Sequence, residues 1–252
     1  MKYSIPGQLL GSLSCAALTR KPRSFARDAQ RTIATLSPAI QVLGAEHVPA
    51  REPCLLACNH YTRPGLGAWW LVLAISTAVA ACRASHADPE IHWVMTAAWT
   101  FPGSPWRRRL LTPLTQWAFD RVAQVYGFVP MPPMPPDPCQ VEARAIAVLR
   151  TVRLARQIAP HGGMIGLAPE GRDVPGGLGQ PPPGAGTFIA LLVQAGLPVL
   201  PIGVFEQGRR LCVSFGAPFT PTIPLGRAAR DREVTRQVMD SIARQLPPNS
   251  PG

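Results

Sequence analysis

Residues 54–65 read CLLACNHYTRPG, and the way this stretch stops decides how the rest of the chain is understood. A short apolar run ends abruptly at Asn59 and His60, then turns through Arg63, Pro64 and Gly65. An apolar run of that length, bounded by turn residues, predicts a buried strand. Its C-terminal end delivers one imidazole to a loop, at the edge where open α/β sheets bind their ligands. A lone histidine there is as often a core residue with satisfied hydrogen bonds. A second strand-to-loop junction, MIGLAPEGRD from Met164 to Asp173, favours the functional reading, because it brings Glu170, Gly171 and Arg172 to an equivalent edge.

The chain around these two strands has 252 residues, enough for one large α/β domain with a full core and too few for two separate domains with a site in each. Hydrophobic residues make up 46% and charged residues only 15%, which excludes a disordered chain and implies much apolar surface. The net charge of +11 is carried almost entirely by arginine, which suits bidentate contacts to phosphate. Nucleic acid and anionic lipid headgroups both fit that balance, as does plain arginine bias in the genome. Nucleic acid is disfavoured as a partner, since there is no zinc-finger spacing, no aromatic RNA-binding strand and no basic helix backed by heptads.

Six cysteines, Cys15, Cys54, Cys58, Cys82, Cys139 and Cys212, lack paired spacing and read as buried thiols in a reducing compartment. Cys54, Cys58 and His60 share a face of a strand but are strung along more than a ligand shell's width, so no metal site is expected.

From the N-terminus, Met1 to Thr19 is weakly apolar but interrupted by Pro6, Gly7 and Gly11, and is not read as a signal peptide. The basic run RKPRSFARDAQR (residues 20–31) leads into a helix that either lies on anionic lipid or is an ordinary amphipathic helix with a solvated face. Ala39 to Val48 is an edge strand and turn. The apolar run LGAWWLVLAISTAVAAC (residues 66–82) falls short of a spanning helix and is expected in the core behind the His60 loop, with a monotopic insert or a short span as the other readings. Strands are expected at Ile91 to Thr96 and Val125 to Val129. Between them, Phe101 to Arg109 is turn-rich, with Trp106 beside three arginines as at a membrane interface, and Leu110 to Gln124 is helical.

Residues 131–138, MPPMPPDP, form a stiff spacer or flap. Val141 to Ile158 is an amphipathic helix with Ala145, Leu149, Val152 and Ile158 near its apolar face. The Gly- and Pro-rich residues 174–186 make an exposed lip over the site. A helix (Thr187 to Ala195), a buried strand (Pro198 to Val204), its neighbour (Arg210 to Phe215) and a last basic helix (Arg227 to Leu246) follow, with Pro247 to Gly252 frayed. These elements predict a single α/β domain, a central mixed sheet flanked by helices. Its parts are a basic amphipathic segment over 1–38, the main domain over 39–222 and a basic C-terminal helix and tail over 223–252.

Strand, Asn-His loop, apolar helix, strand, Pro-Glu-Gly loop and Pro-Val-x-Pro-Ile strand occur here in an order that resembles the glycerophospholipid (1-acylglycerol-3-phosphate O-acyltransferase-like) acyltransferase family. The resemblance runs from about Val42 to about Phe219. Asn59 and His60 match its first motif, Pro169 to Gly171 its third, and the strand at Pro198 to Pro201 its fourth. It implies a glycerolipid-acyltransferase-like fold and an enzyme of lipid metabolism on the cytoplasmic face of a membrane, peripheral or monotopic. The expected activity moves a fatty acyl group from acyl-CoA or acyl carrier protein, as co-substrate, to a lysophospholipid or related hydroxyl. No cofactor is expected.

His60 is then the general base, since a neutral imidazole is suited to take a proton from a weakly nucleophilic alcohol. Asn59, Arg63, Glu170, Gly171 and Arg172 are the expected binding residues, with Arg63 and Arg172 meeting an anionic group. One position departs from the pattern. In the family a carboxylate five residues after the histidine orients the ring, and here that position is Gly65. The second motif also lacks its arginine, because residues 127–131 read GFVPM. Asp88, Glu90, Asp120 or Asp173 can replace the missing acid only if folding brings one of them to the ring. Without it, the resemblance leaves a catalytically degenerate protein that binds lipid or acyl groups as the other reading.

Overall fold

The run Cys54–Cys58 forms β2, buried along its whole length. Its side chains alternate: Cys54, Leu56 and Cys58 enter one apolar cluster, and Leu55 and Ala57 enter another on the opposite face. A strand covered on both faces lies inside a sheet between two helical layers. The structure, a computed structural model, describes residues 3, 7–85, 87–101, 103–133, 140–175 and 178–248.

The other strands are β1 (Gln41–Leu43), β3 (Tyr61–Thr62), β4 (Ile91–Thr96), β5 (Val129–Met131), β6 (Met164–Leu167), β7 (Val174–Pro175), β8 (Val199–Gln207) and β9 (Arg210–Phe215). Among the described residues, seven of these nine strands form one sheet in the order β1-β9-β8-β2-β6-β4-β5, while β3 and β7 form a separate two-stranded ribbon. From β8 to β5 all neighbours are parallel; β9 is antiparallel to β8, and β1 runs parallel to β9. The chain is thus a single α/β domain with a mixed sheet. Because β2, β4 and β6 are parallel, the segments that follow them emerge at one edge.

The helices are α1 (Gly7–Thr19), α2 (Phe25–Ile33), α3 (Trp69–Cys82), α4 (Pro105–Tyr126), α5 (Val141–Ile158), α6 (Ala185–Gln194) and α7 (Arg227–Ala243). One layer holds α2, α3 and the end of α4, and the other holds α5, α6 and α7. The apolar run after Gly65 becomes α3, a core helix with Trp70, Leu71, Leu73, Ala74, Ile75 and Val79 buried. No helix among the described residues is long and apolar enough to cross a membrane.

The weakly apolar N-terminal stretch forms α1. The apolar face of α2 is not offered to lipid: Phe25, Ala26, Ala29 and Ile33 are buried, with α3 packed alongside, and Asp28 beneath accepts two bonds from Arg23 (2.8 and 2.9 Å) and one from the Tyr126 hydroxyl (2.9 Å). The helix expected from Leu110 begins at Pro105, a favoured residue at a first helical position. It runs on to Tyr126, so the strand expected at Val125 lies later, at Val129–Met131, past the left-handed cap at Gly127.

On α5 the buried line is Ala147, Thr151 and Ala155 with Val152, while Ala145 and Leu149 face solvent. Small residues at four-residue spacing let the helix seat closely on the sheet, which turns the bulkier Leu149 outward. Residues 134–138 of the expected spacer, Cys139, residues 176–177 of the lip and residues 249–252 of the tail lie outside the described residues.

Candidate active site

The site follows from a change of register between two parallel pairs. In the sheet, Ala57 of β2 is opposite Leu167 of β6; in the ribbon, Tyr61 of β3 is opposite Val174 of β7. Three residues (58–60) span the gap on one segment and six (168–173) on the other, so the second loop carries three extra residues. Continuing the ribbon backward by one residue sets His60 beside Asp173. Continuing the sheet forward sets His60 beside Glu170. Both acids reach it, in different ways.

Glu170 is buried and braces the loops. One of its carboxylate oxygens accepts from the backbone N–H of His60 and the other from the N–H of Gly179, at 2.5 Å in the latter case. Burial pushes its pKa up, opposed by those two N–H groups and by the Arg172 charge. Gly171, at φ +62°, makes the sharp bend that returns the chain toward His60, with its N–H bonded to the Ala168 carbonyl.

Asp173 meets the ring itself: its Oδ1 lies 3.1 Å from His60 Nδ1. The Nδ1 atom is sealed from solvent and has no hydrogen-bond partner among the described residues, so the pair is a close polar contact and not a hydrogen bond. The Asp173 side chain is 70% exposed. Burial pulls the His60 pKa below its usual value, and the Asp173 charge opposes that pull. The ring is therefore neutral at pH 7, with Nε2 unbonded among the described residues.

The other expected binding residues are engaged within the protein. Asn59 is buried, and its amide clamps β8 by accepting from Val204 N–H (2.7 Å) and donating to Val204 C=O (2.9 Å). Arg63 holds Glu206 through Nε and Nη2 (2.6 Å for the latter), donates to the Pro64 carbonyl at 2.7 Å, and lies 5.7 Å from the Tyr3 ring. Arg172 is exposed at the same edge as His60 and has no ion pair among the described residues.

Of the four carboxylates considered from sequence, Asp173 is the one at the ring. Glu90 caps α2 by accepting from Ser24 Oγ and from the N–H groups of Phe25 and Ala26 (3.0 and 3.2 Å), and Asp88 accepts from Glu90 N–H. Glu206 and the ribbon register had no sequence signal, because two-residue strands leave no periodicity to read.

Among the described residues, no group of three or more His, Cys, Asp or Glu is arranged to hold a metal ion. Cys54 and Cys58 are buried, and burial pushes both thiols up to about 12, so neither is a nucleophile at neutral pH. Cys15, in contrast, is exposed. Two surface concavities, of about 350 Å³ beside α1 and about 210 Å³ beside α5, are lined by other residues than His60.

No protein-family profile matches the sequence, and no curated protein matches it. Among solved structures, the chain is similar to the crystal structure of the 1-acyl-sn-glycerophosphate (LPA) acyltransferase PlsC from Thermotoga maritima. The match has 15% identity and a TM-score of 0.49, covering 87% of this chain and 76% of that one. A likeness at that level assigns no activity.

Proposed function

We propose that the protein is an O-acyltransferase that uses His60 as general base and Asp173 as the carboxylate that positions it. The observation carrying this reading is the 3.1 Å approach of Asp173 Oδ1 to His60 Nδ1, which supplies the acid that Gly65 does not. The order of the Asn-His, Pro-Glu-Gly and Pro-Val-x-Pro-Ile segments supports acyl transfer as the chemistry.

In this mechanism Nδ1 carries the proton and faces Asp173, so the Nε2 lone pair points to the acceptor hydroxyl. Nε2 takes the hydroxyl proton as the oxygen attacks the thioester carbonyl of acyl-CoA or acyl carrier protein. The tetrahedral intermediate collapses, the C–S bond breaks, and the departing thiolate takes the proton from the imidazolium. Asp173 stabilises that imidazolium while it exists. Glu170 keeps the loops in register without touching substrate, and Arg172 meets the anionic headgroup of a lysophospholipid-like acceptor.

The test is release of free thiol from acyl-CoA in the presence of a panel of lysophospholipid acceptors. Both His60→Ala and His60→Gln lose turnover by about 10² or more, the usual contribution of a general base. Full turnover in either folded variant refutes the assignment.

A further inference from the structure

The first turns of α4 are exposed on all sides, although they carry large apolar residues: every residue from Pro105 to Leu110 faces solvent. Trp106, Leu110, Leu114 and Trp117 are 60, 62, 57 and 46% exposed. Spacings of four, four and three residues set these side chains on one stripe of the helix. The loop before α4 adds Trp99, also exposed, whose ring packs edge-on against Phe119 at 5.1 Å. Only Ala123, Val125 and Tyr126, at the far end of the helix, are buried.

The position of the stripe follows from lengths. A helix of 22 residues spans about 33 Å, whereas the six residues of β4 span about 20 Å. The helix starts from the edge where β4 ends, so its first half overhangs the edge that carries His60.

The charges flanking the stripe are basic. Arg107, Arg108 and Arg109 follow Trp106, and the first turn has no acid. Arginine at a helix N-terminus opposes the helix dipole, so these charges are not there to stabilise α4. None has an acidic partner among the described residues. The Arg107 guanidinium lies 5.5 Å from the Trp106 ring, and that of Arg121 lies 5.7 Å from the Trp117 ring.

We infer that this face of α4 docks the protein on an anionic lipid bilayer, with the leucines below the headgroups, the tryptophans at headgroup depth and the arginines on phosphate. A second copy of the chain is the poorer occupant, because it brings the same arginines against themselves on a protein of net charge +11. The inference rests on no catalytic residue.

The test is co-sedimentation of the full chain with vesicles of phosphatidylglycerol mixed into phosphatidylcholine, and with phosphatidylcholine alone. Light scattering of the lipid-free protein accompanies it. The protein binds the anionic vesicles, and added salt weakens binding. Leu110→Ser with Leu114→Ser lowers partitioning about 30-fold or more, and Arg107→Gln, Arg108→Gln and Arg109→Gln together lower it about 100-fold. All five side chains are exposed, so the variants keep the fold. His60→Ala binds as the unaltered protein does. Partitioning that ignores both sets of substitutions overturns the inference. So does a lipid-free dimer that the leucine variant dissociates, since the stripe is then a self-association surface.

Discussion

Replacing Asp173 with Asn removes one charge and keeps the side-chain shape, and its effect can be worked from the geometry. At 3.1 Å, a carboxylate and an imidazolium attract by about 1.3 kcal/mol in a water-like dielectric and by about 5 kcal/mol at the effective dielectric of a protein interior. The Asp173 side chain is 70% exposed, so screening by solvent holds the value near the lower figure. An attraction of about 1 to 2 kcal/mol that is present only when the ring is protonated lowers kcat by about 5- to 30-fold when removed. That is far less than the roughly 10⁴-fold loss when a buried orienting Asp is replaced in a serine protease.

The pH profile gives an independent signature. Turnover needs the neutral ring, so the acid limb of kcat/KM reports the His60 pKa, which burial holds below the usual 6.5. The Asp173 charge raises that pKa, so Asp173→Asn moves the acid limb to lower pH while slowing turnover. Asp173→Glu retains the charge on an exposed, mobile side chain and restores part of both effects. Acyl-CoA cleavage followed by thiol release across the pH range is the assay. An unchanged kcat with an unmoved acid limb in Asp173→Asn refutes the role of this carboxylate.

Gly65→Asp restores the sequence pattern without restoring the interaction. Gly65 is at φ +84°, and a Cβ built there meets the Arg63 guanidinium at 3.8 Å, so the new acid pairs with Arg63. It costs about 1–2 kcal/mol from the left-handed backbone and leaves Asp173→Asn as slow as before; recovery of turnover in the double variant contradicts the geometry. Asn59→Ala strands the buried N–H and C=O of Val204 and destabilises by about 2–4 kcal/mol, read as a lower urea midpoint; a shift under about 0.5 kcal/mol shows that the clamp is not formed. Arg172→Gln raises KM for an anionic acceptor by about tenfold with kcat retained, and equal loss with a neutral acceptor removes Arg172 from headgroup binding.

Much of this fold was legible residue by residue. The apolar run Cys54–Cys58 forms its strand because every side chain finds a layer to enter, and α3 is in the core because the run from Trp69 is apolar on nearly every side. The amphipathic pattern of Val141–Ile158 located α5 but not its buried face, since the close seat of Ala147, Thr151 and Ala155 depends on the sheet beneath. The site was legible only in part. Arg63 and Asn59 read as free polar groups because their partners, Glu206 and Val204, come from distant β8.

By itself, then, the sequence determined the core strands β2, β6 and β8, the core helix α3 and the delivery of His60 and Glu170 to one sheet edge, because hydrophobic period and turn residues are local properties. Which acid faces the His60 ring was decided only by tertiary structure. That choice depends on the register of Tyr61 against Val174, set by two chain segments that meet through the sheet, and no local pattern encodes a three-residue difference between their loops.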